Sequence, residues 1–106
     1  MPAAARALGV DKVFSVTGSG YHCLAPVVTS TGNTGSPNIF INGSPAVRLG
    51  DVVGVHTRTG CGGPDTSVLT TGSSKVFING QPAGRIGDQY TADNTITTGS
   101  PTVFFG

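Results

Sequence analysis

Residues 35–51, GSPNIFINGSPAVRLGD, return 37 positions later as residues 72–88, GSSKVFINGQPAGRIGD. The two copies agree at eleven of seventeen positions. A third fragment, GSPTVFFG, closes the chain at 99–106, and a looser counterpart of the missing half, PAAARALGVD, opens it at 2–11. No other feature restricts the fold as much: a chain of 106 residues that repeats one phrase has to build similar units around a shared core. Each full copy sets Asn-Gly directly after a β-rich run, Ile39–Phe40–Ile41 or Val76–Phe77–Ile78. Asn-Gly favours a two-residue hairpin turn, because both turn positions need positive φ. The unit therefore reads as a strand, a tight turn at Asn42–Gly43 or Asn79–Gly80, and a returning strand through Pro-Ala-x-Arg. Pro45 and Pro82 lack an amide donor and belong where that donor would face outward.

Alternation puts Ile39 and Ile41 on one face and Phe40 on the other. The pattern recurs as Val76 and Ile78 with Phe77, and as Val103 and Phe105 with Phe104. Three equivalent apolar sets imply three walls around one small core. The copy split between the termini then has a physical meaning: if three β units close into a ring, the chain ends must meet. The expected closure pairs an N-terminal strand (Ala5–Arg6 to Gly9 and Asp11) with Thr102–Phe105. Gly, Pro and β-branched residues disfavour helix everywhere except residues 2–8. A β-solenoid is the competing architecture, but two and a half irregularly spaced copies are few for one. The connectors 12–34, 52–71 and 89–98 differ in length and sequence, which makes them the places to look for chemistry.

Composition removes several function classes. Charged residues are 10% of the chain, the net charge is +1, and the six basic residues are scattered, which argues against nucleic acid. The longest apolar runs are too short to span a bilayer. The amino terminus, MPAAARALG, lacks the hydrophobic centre of a signal peptide, so synthesis in the cytoplasm without a cleaved signal is expected.

Every His and Cys lies in two connectors: His22 and Cys23 in the first, His56 and Cys61 in the second. Two imidazoles and two thiolates make up a tetrahedral zinc donor count, and this mixture favours zinc over calcium or magnesium. Adjacent His22 and Cys23 could serve one ion only where the backbone turns sharply. The same residues are open to other readings: a Cys23–Cys61 disulfide in an oxidising compartment, or small buried hydrophobes with loop histidines. A thiol enzyme built on Cys61 and His56 would need an orienting acid and a cleft, and a domain this small with so few polar side chains shows neither. Asp51 and Asp88 sit in the repeated Arg-x-Gly-Asp phrase, where turn capping or Arg pairing is the expected role.

The phrase GSP-x-V-F-I-N-G-x-P-A-x-R-x-G-D, interleaved with His/Cys connectors, resembles the PAAR-repeat family. Pro45-Ala46-Val47-Arg48 and Pro82-Ala83-Gly84-Arg85 stand for the name-giving motif with its second Ala replaced, and Ala4-Ala5-Arg6 resembles a degenerate first copy. The resemblance covers nearly the whole chain, as a single domain over 1–106 with no effector extension. It implies an all-β cone or pyramid of three pseudo-equivalent hairpin units with internal pseudo-threefold symmetry and one structural Zn²⁺ near the apex. It further implies a non-enzymatic tip that caps and sharpens a trimeric β-helical membrane-piercing spike, one cone per trimer, in a contractile phage tail or type VI secretion system. Such a tip meets the target membrane transiently, takes no small-molecule substrate and is expelled into the target cell. The alternative is a type VI effector carrier that recruits non-covalent toxin cargo. The chain most resembles the small tip proteins of T4-like phages. The implied ligands are Cys23, His56 and Cys61, with His22, Asp93 or water as the fourth, since the third connector has no Cys or His. The implied docking and motif residues are Pro45, Ala46, Arg48, Pro82, Ala83 and Arg85.

Overall fold

The two Asn-Gly pairs make the turns their chemistry demands. Asn42 and Gly43 have φ of 52° and 83°, and Asn79 and Gly80 have 54° and 80°, so both central positions are left-handed as a two-residue hairpin requires. These values come from a computed structural model that describes residues 2–15, 27–54, 56–57, 64–65, 67–91 and 94–106. The hairpins are β3 (Phe40–Ile41) with β4 (Ser44–Pro45), and β7 (Phe77–Ile78) with β8 (Gln81–Pro82). Phe40 lies opposite Pro45, and Phe77 opposite Pro82.

The remaining strands belong to the connectors. β1 (Lys12–Ser15), β2 (Val27–Ser30), β9 (Gln89–Tyr90) and β10 (Asn94–Ile96) form one antiparallel sheet in the order β2-β1-β10-β9. β5 (His56–Thr57) pairs antiparallel with β6 (Pro64–Asp65). No described residue is helical, and no helix among them is long and apolar enough to cross a membrane. Residues 2–8 are not a helix because long-range pairing claims their backbone: Ala3 bridges Phe104, Ala4 bridges Arg85, and Arg6 bridges Ala46.

The chain ends meet, though not through the residues expected. Closure runs through Pro2–Ala4 rather than Ala5–Asp11: the Ala4 amide donates to the Val103 carbonyl at 2.9 Å, and the Phe105 amide to the Pro2 carbonyl at 2.9 Å. Ala3 thereby stands opposite Phe104 as Pro45 stands opposite Phe40. Two extra residues hide this alignment. Arg48 and Asp51 are three apart and span a turn with Gly50 at φ 89°, whereas Arg6 and Asp11 are five apart with Leu8 and Gly9 at 60° and 76°.

Two apolar clusters make the core. Ile41, Ile78, Ala4, Ala46 and Ala83 form one, with Val76, Val103 and Phe105 half-buried against it. Ala5, Ala7, Val13, Val47, Val53, Leu69, Tyr90 and Ile96 form the other. The expected alternation holds for Ile41 and Ile78, with Val76 half-buried beside them, but not for Ile39, which is exposed. Phe40, Phe77 and Phe104 face solvent. The body measures 36 × 23 × 23 Å.

Candidate functional site

The repeated Arg and Asp form forks. Arg6 Nε and Nη2 donate to Asp11 at 3.0 and 2.9 Å, and Arg85 donates likewise to Asp88 at 3.0 and 3.1 Å. The Arg48 pair reaches Asp51 at 3.2 Å through both nitrogens. Each Arg main-chain N–H donates to the same carboxylate, at 2.7, 2.7 and 2.8 Å. All three aspartates are buried, and a buried carboxylate is tolerable only when paired and fully hydrogen-bonded. The hydrogen bond to aspartate holds Arg6 and Arg85 above the ordinary arginine value, against the opposing effect of burial.

These pairs also tie each segment to the next. Arg6 Nη1 donates to Asn42 Oδ1 at 3.4 Å, Arg48 Nη1 to Asn79 Oδ1 at 3.3 Å, and Arg85 Nη1 to the Gly106 carbonyl at 3.0 Å. The same acceptors take serine hydroxyls: Ser100 donates to Asn42 at 2.5 Å, Ser36 to Asn79 at 2.6 Å, and Ser73 to Gly106. Isolated bridges run in the same order, Arg6 with Ala46, Arg48 with Ala83, and Arg85 with Ala4. Between them lies a closed triangle of main-chain hydrogen bonds: Ala5 N–H to Gly84 O at 3.0 Å, Gly84 N–H to Val47 O at 2.8 Å, and Val47 N–H to Ala5 O at 3.2 Å. The variable third position of the motif therefore sits where the three segments touch.

The motif residues thus have internal work. Ala46 and Ala83 are 0% exposed and offer a partner no surface. Pro45 and Pro82 use their carbonyls to accept from Ala7 and Leu49 at 2.8 and 2.9 Å, and Ala3 accepts from Ile86 at 2.9 Å in the corresponding place. Comparing the two full copies does not single out Thr34, Thr71 and Thr98, yet they close the frame. Their hydroxyls accept from the amides of Val52, Gln89 and Lys12 at 3.0, 2.9 and 2.8 Å. The signal was present in the sequence, though not unique: Thr-Gly-Ser stands at 34–36, 71–73 and 98–100, and also at 17–19 in the first connector.

The connectors leave this frame in a common direction. Ser15 lies opposite both Val27 and Asn94, so the chain between β1 and β2 and the chain between β9 and β10 start from one end of the sheet. Antiparallel bridges of Thr31 with Val53 and of Leu69 with Tyr90 carry the chain toward β5 and back from β6 along the same axis. His56 stands opposite Asp65 in the β5–β6 register. His22, Cys23, Cys61 and Asp93 lie outside the described residues. Among the described residues no group of three His, Cys, Asp or Glu side chains is placed to hold a metal. Beneath the connectors, burial, reinforced by the charges of Asp51 and Asp11, raises the Tyr90 hydroxyl above the ordinary tyrosine range. That hydroxyl is buried and finds no hydrogen-bond partner among the described residues.

Comparison with known proteins adds one match. The family model described as PAAR motif matches residues 57–106. No curated protein matches the chain.

Proposed function

The chain is a PAAR-repeat protein, and we propose that it is the non-enzymatic tip of a contractile injection machine, capping a trimeric β-helical spike with one chain per trimer. The observation that carries this reading is the cyclic order of contacts among its three repeat segments. Each segment's Arg bridges the Ala of the next, and the third returns to the first. This order supports the reading of one chain as a pseudo-threefold body that offers three similar contacts to a threefold partner, which an ordinary monomer cannot do. Phe40, Phe77 and Phe104 occupy matching positions and are 56, 58 and 47% exposed. At roughly 200 Å² for a phenylalanine, each exposes about 100 Å² of apolar surface, one such site on each segment. The buried motif residues hold these hairpins from within.

A single structural zinc completes the proposal. The donor chemistry fits, with two imidazoles and two thiolates in connectors that start from one end of the fold. Cys23, His56 and Cys61 would hold the ion, with His22, Asp93 or water as the fourth ligand. Bound there, zinc would supply a crosslink between connectors.

The carrier reading draws on a different face. Val28 and Phe14 lie opposite each other across β1 and β2 and are exposed, in a four-stranded sheet that has no counterpart among the other described residues. That face would suit one asymmetric cargo protein.

The test is reconstitution with a trimeric β-helical spike, with stoichiometry read by native mass spectrometry. One chain per trimer, lost in a Phe40→Asp/Phe77→Asp/Phe104→Asp variant that still folds, is the expected result. Docking unaffected by the triple substitution, or three chains per trimer, would overturn the reading.

A further inference from the structure

Asn42-Gly43 and Asn79-Gly80 are the Asn-Gly pairs of the chain. Such pairs are the most prone of any to lose ammonia, because glycine leaves its amide nitrogen unhindered. A Cβ placed on Gly43 or Gly80 would meet nothing within 4 Å, so the neighbourhood does not shield these amides either. What restrains them is the side-chain amide of each asparagine, which is held at both ends. Asn42 Oδ1 accepts from Ser100 at 2.5 Å while its Nδ2 donates to Thr102 Oγ1 at 3.0 Å. Asn79 Oδ1 accepts from Ser36 at 2.6 Å while its Nδ2 donates to Asn38 Oδ1 at 2.9 Å. In both cases the serine belongs to a neighbouring repeat segment. The left-handed turn adds a second restraint, since it must open before the glycine nitrogen can reach the side-chain carbon.

We propose that Asn42 and Asn79 are latent sites of spontaneous deamidation, each held in check by the serine of an adjacent repeat. In the reaction the Gly43 nitrogen attacks Asn42 Cγ and a new C–N bond forms. The Cγ–Nδ2 bond breaks, and the amide proton leaves with Nδ2 as ammonia. Water then opens the five-membered imide, giving aspartate if the Cγ–N bond is cut and isoaspartate if the main-chain carbonyl–N bond is cut. Isoaspartate adds a methylene to the main chain of a two-residue turn and displaces the oxygen that Arg6 and Ser100 hold. The chemistry therefore marks, irreversibly, chains whose ring has opened. This inference stands independently of what the tip docks on.

The fold supplies its own control. Ser73 occupies the same place in the third segment but donates to the main-chain carbonyl of Gly106, where there is no asparagine to deamidate. The experiment incubates the folded wild-type chain and the variants Ser100→Ala, Ser36→Ala and Ser73→Ala at mildly alkaline pH. Peptide mapping by mass spectrometry then quantifies acid and isoaspartate at each site. Losing a hydrogen bond of about 1 kcal/mol corresponds to about a fivefold rate increase. Ser100→Ala should give that increase at Asn42 alone and Ser36→Ala at Asn79 alone, while Ser73→Ala should change neither. Ser100→Thr, which retains the hydroxyl, should stay near the wild-type rate. Equal acceleration at both sites in any variant, or acceleration by Ser73→Ala, would show general loosening and overturn the proposal. No acceleration in any variant would overturn it as well.

Discussion

Gly84 and Val47 should behave as one volume shared between two repeats. Both stand at the variable position of Pro-Ala-x-Arg and are joined by the Gly84 N–H to Val47 O bond of 2.8 Å. A Cβ on Gly84 would lie 3.0 Å from Leu69 Cδ2, 3.0 Å from Val47 Cγ1 and 3.2 Å from Val47 Cβ, all in the core. Overpacking by one methyl costs about 1–3 kcal/mol. Restricting the unfolded chain returns about 0.4–1 kcal/mol of that. Gly84→Ala alone should therefore destabilise by about 1–2 kcal/mol. Val47 is 1% exposed, and Val47→Ala removes two buried carbons, a loss of about 2 kcal/mol. In the double variant the new methyl enters the space the old ones leave, so the combined loss should fall at least about 1 kcal/mol short of the sum. The assay is equilibrium urea unfolding of the four proteins at matched metal concentration, because a bound metal would itself shift the midpoint. Additivity within about 0.5 kcal/mol, or a neutral Gly84→Ala, would refute the shared-volume argument.

Other consequences follow from the same contacts. Asp51→Ala strands Arg48 beside a vacated carboxylate and also removes the acceptor of the Arg48 amide; a loss of about 2–3 kcal/mol is expected in urea unfolding, and a loss under 1 kcal/mol would contradict it. Tyr90 is held protonated in the folded state above the tyrosine value of 10.0, so the unfolded chain ionises first. Stability should therefore be intact below pH 10 and fall as pH rises past it, and the decline should be shallower in Tyr90→Phe. At neutral pH Tyr90→Phe should be neutral or slightly stabilising, because it removes a buried hydroxyl without a partner among the described residues. If the connectors hold zinc, chelation should lower the thermal midpoint of the wild type but not of Cys23→Ser/Cys61→Ser; equal shifts in both would remove the metal from the proposal.

The hairpins were legible because Asn-Gly is a local instruction: two residues with positive φ specify the turn whatever surrounds it. Ring closure was legible from the split copy, but its register was not. Matching Gly9-Val10-Asp11 to Gly50-Asp51 misleads, because two extra residues sit between Arg6 and Asp11. Matching by arginine instead puts Ala4 on Ala46 and Ala3 on Pro45, which is the pairing found. Ile39 departs from the alternation although Val76, at the matching place before an equally short strand, is half-buried against the core, so strand pattern alone did not settle the residue before the strand. The links from Ser36 to Asn79 and from Ser100 to Asn42 join residues 43 and 58 positions apart, and nothing in either local sequence names its partner. The Arg-Asp forks, by contrast, were legible as a pairing role for Asp51 and Asp88. Of the residues named as metal ligands, only the His56 main chain lies among those described.

A single chain cannot repeat itself in every part, and this fold confines the differences. At the hairpin end the three segments match closely: three Arg-Asp forks, three capping serines, three outward phenylalanines and a triangle of main-chain bonds. One substitution interrupts the set, where the Gly106 carbonyl takes the place that Asn42 and Asn79 side chains hold elsewhere. Toward the connectors the equivalence dissolves: the described residues there hold one four-stranded sheet and one two-stranded pair, and side chains as different as Val13, Val53 and Tyr90 fill the core. Contacts with a symmetric partner would be spread over three similar sites, so a single hairpin substitution should weaken docking by about a third of the binding free energy if the sites contribute equally. Chemistry in the connectors has no such redundancy, because the two His and two Cys lie outside the repeated phrase and in only two of the three connectors. Graded loss of docking with one, two and three Phe→Asp changes, against all-or-none loss of metal with single Cys changes, is the signature of that division.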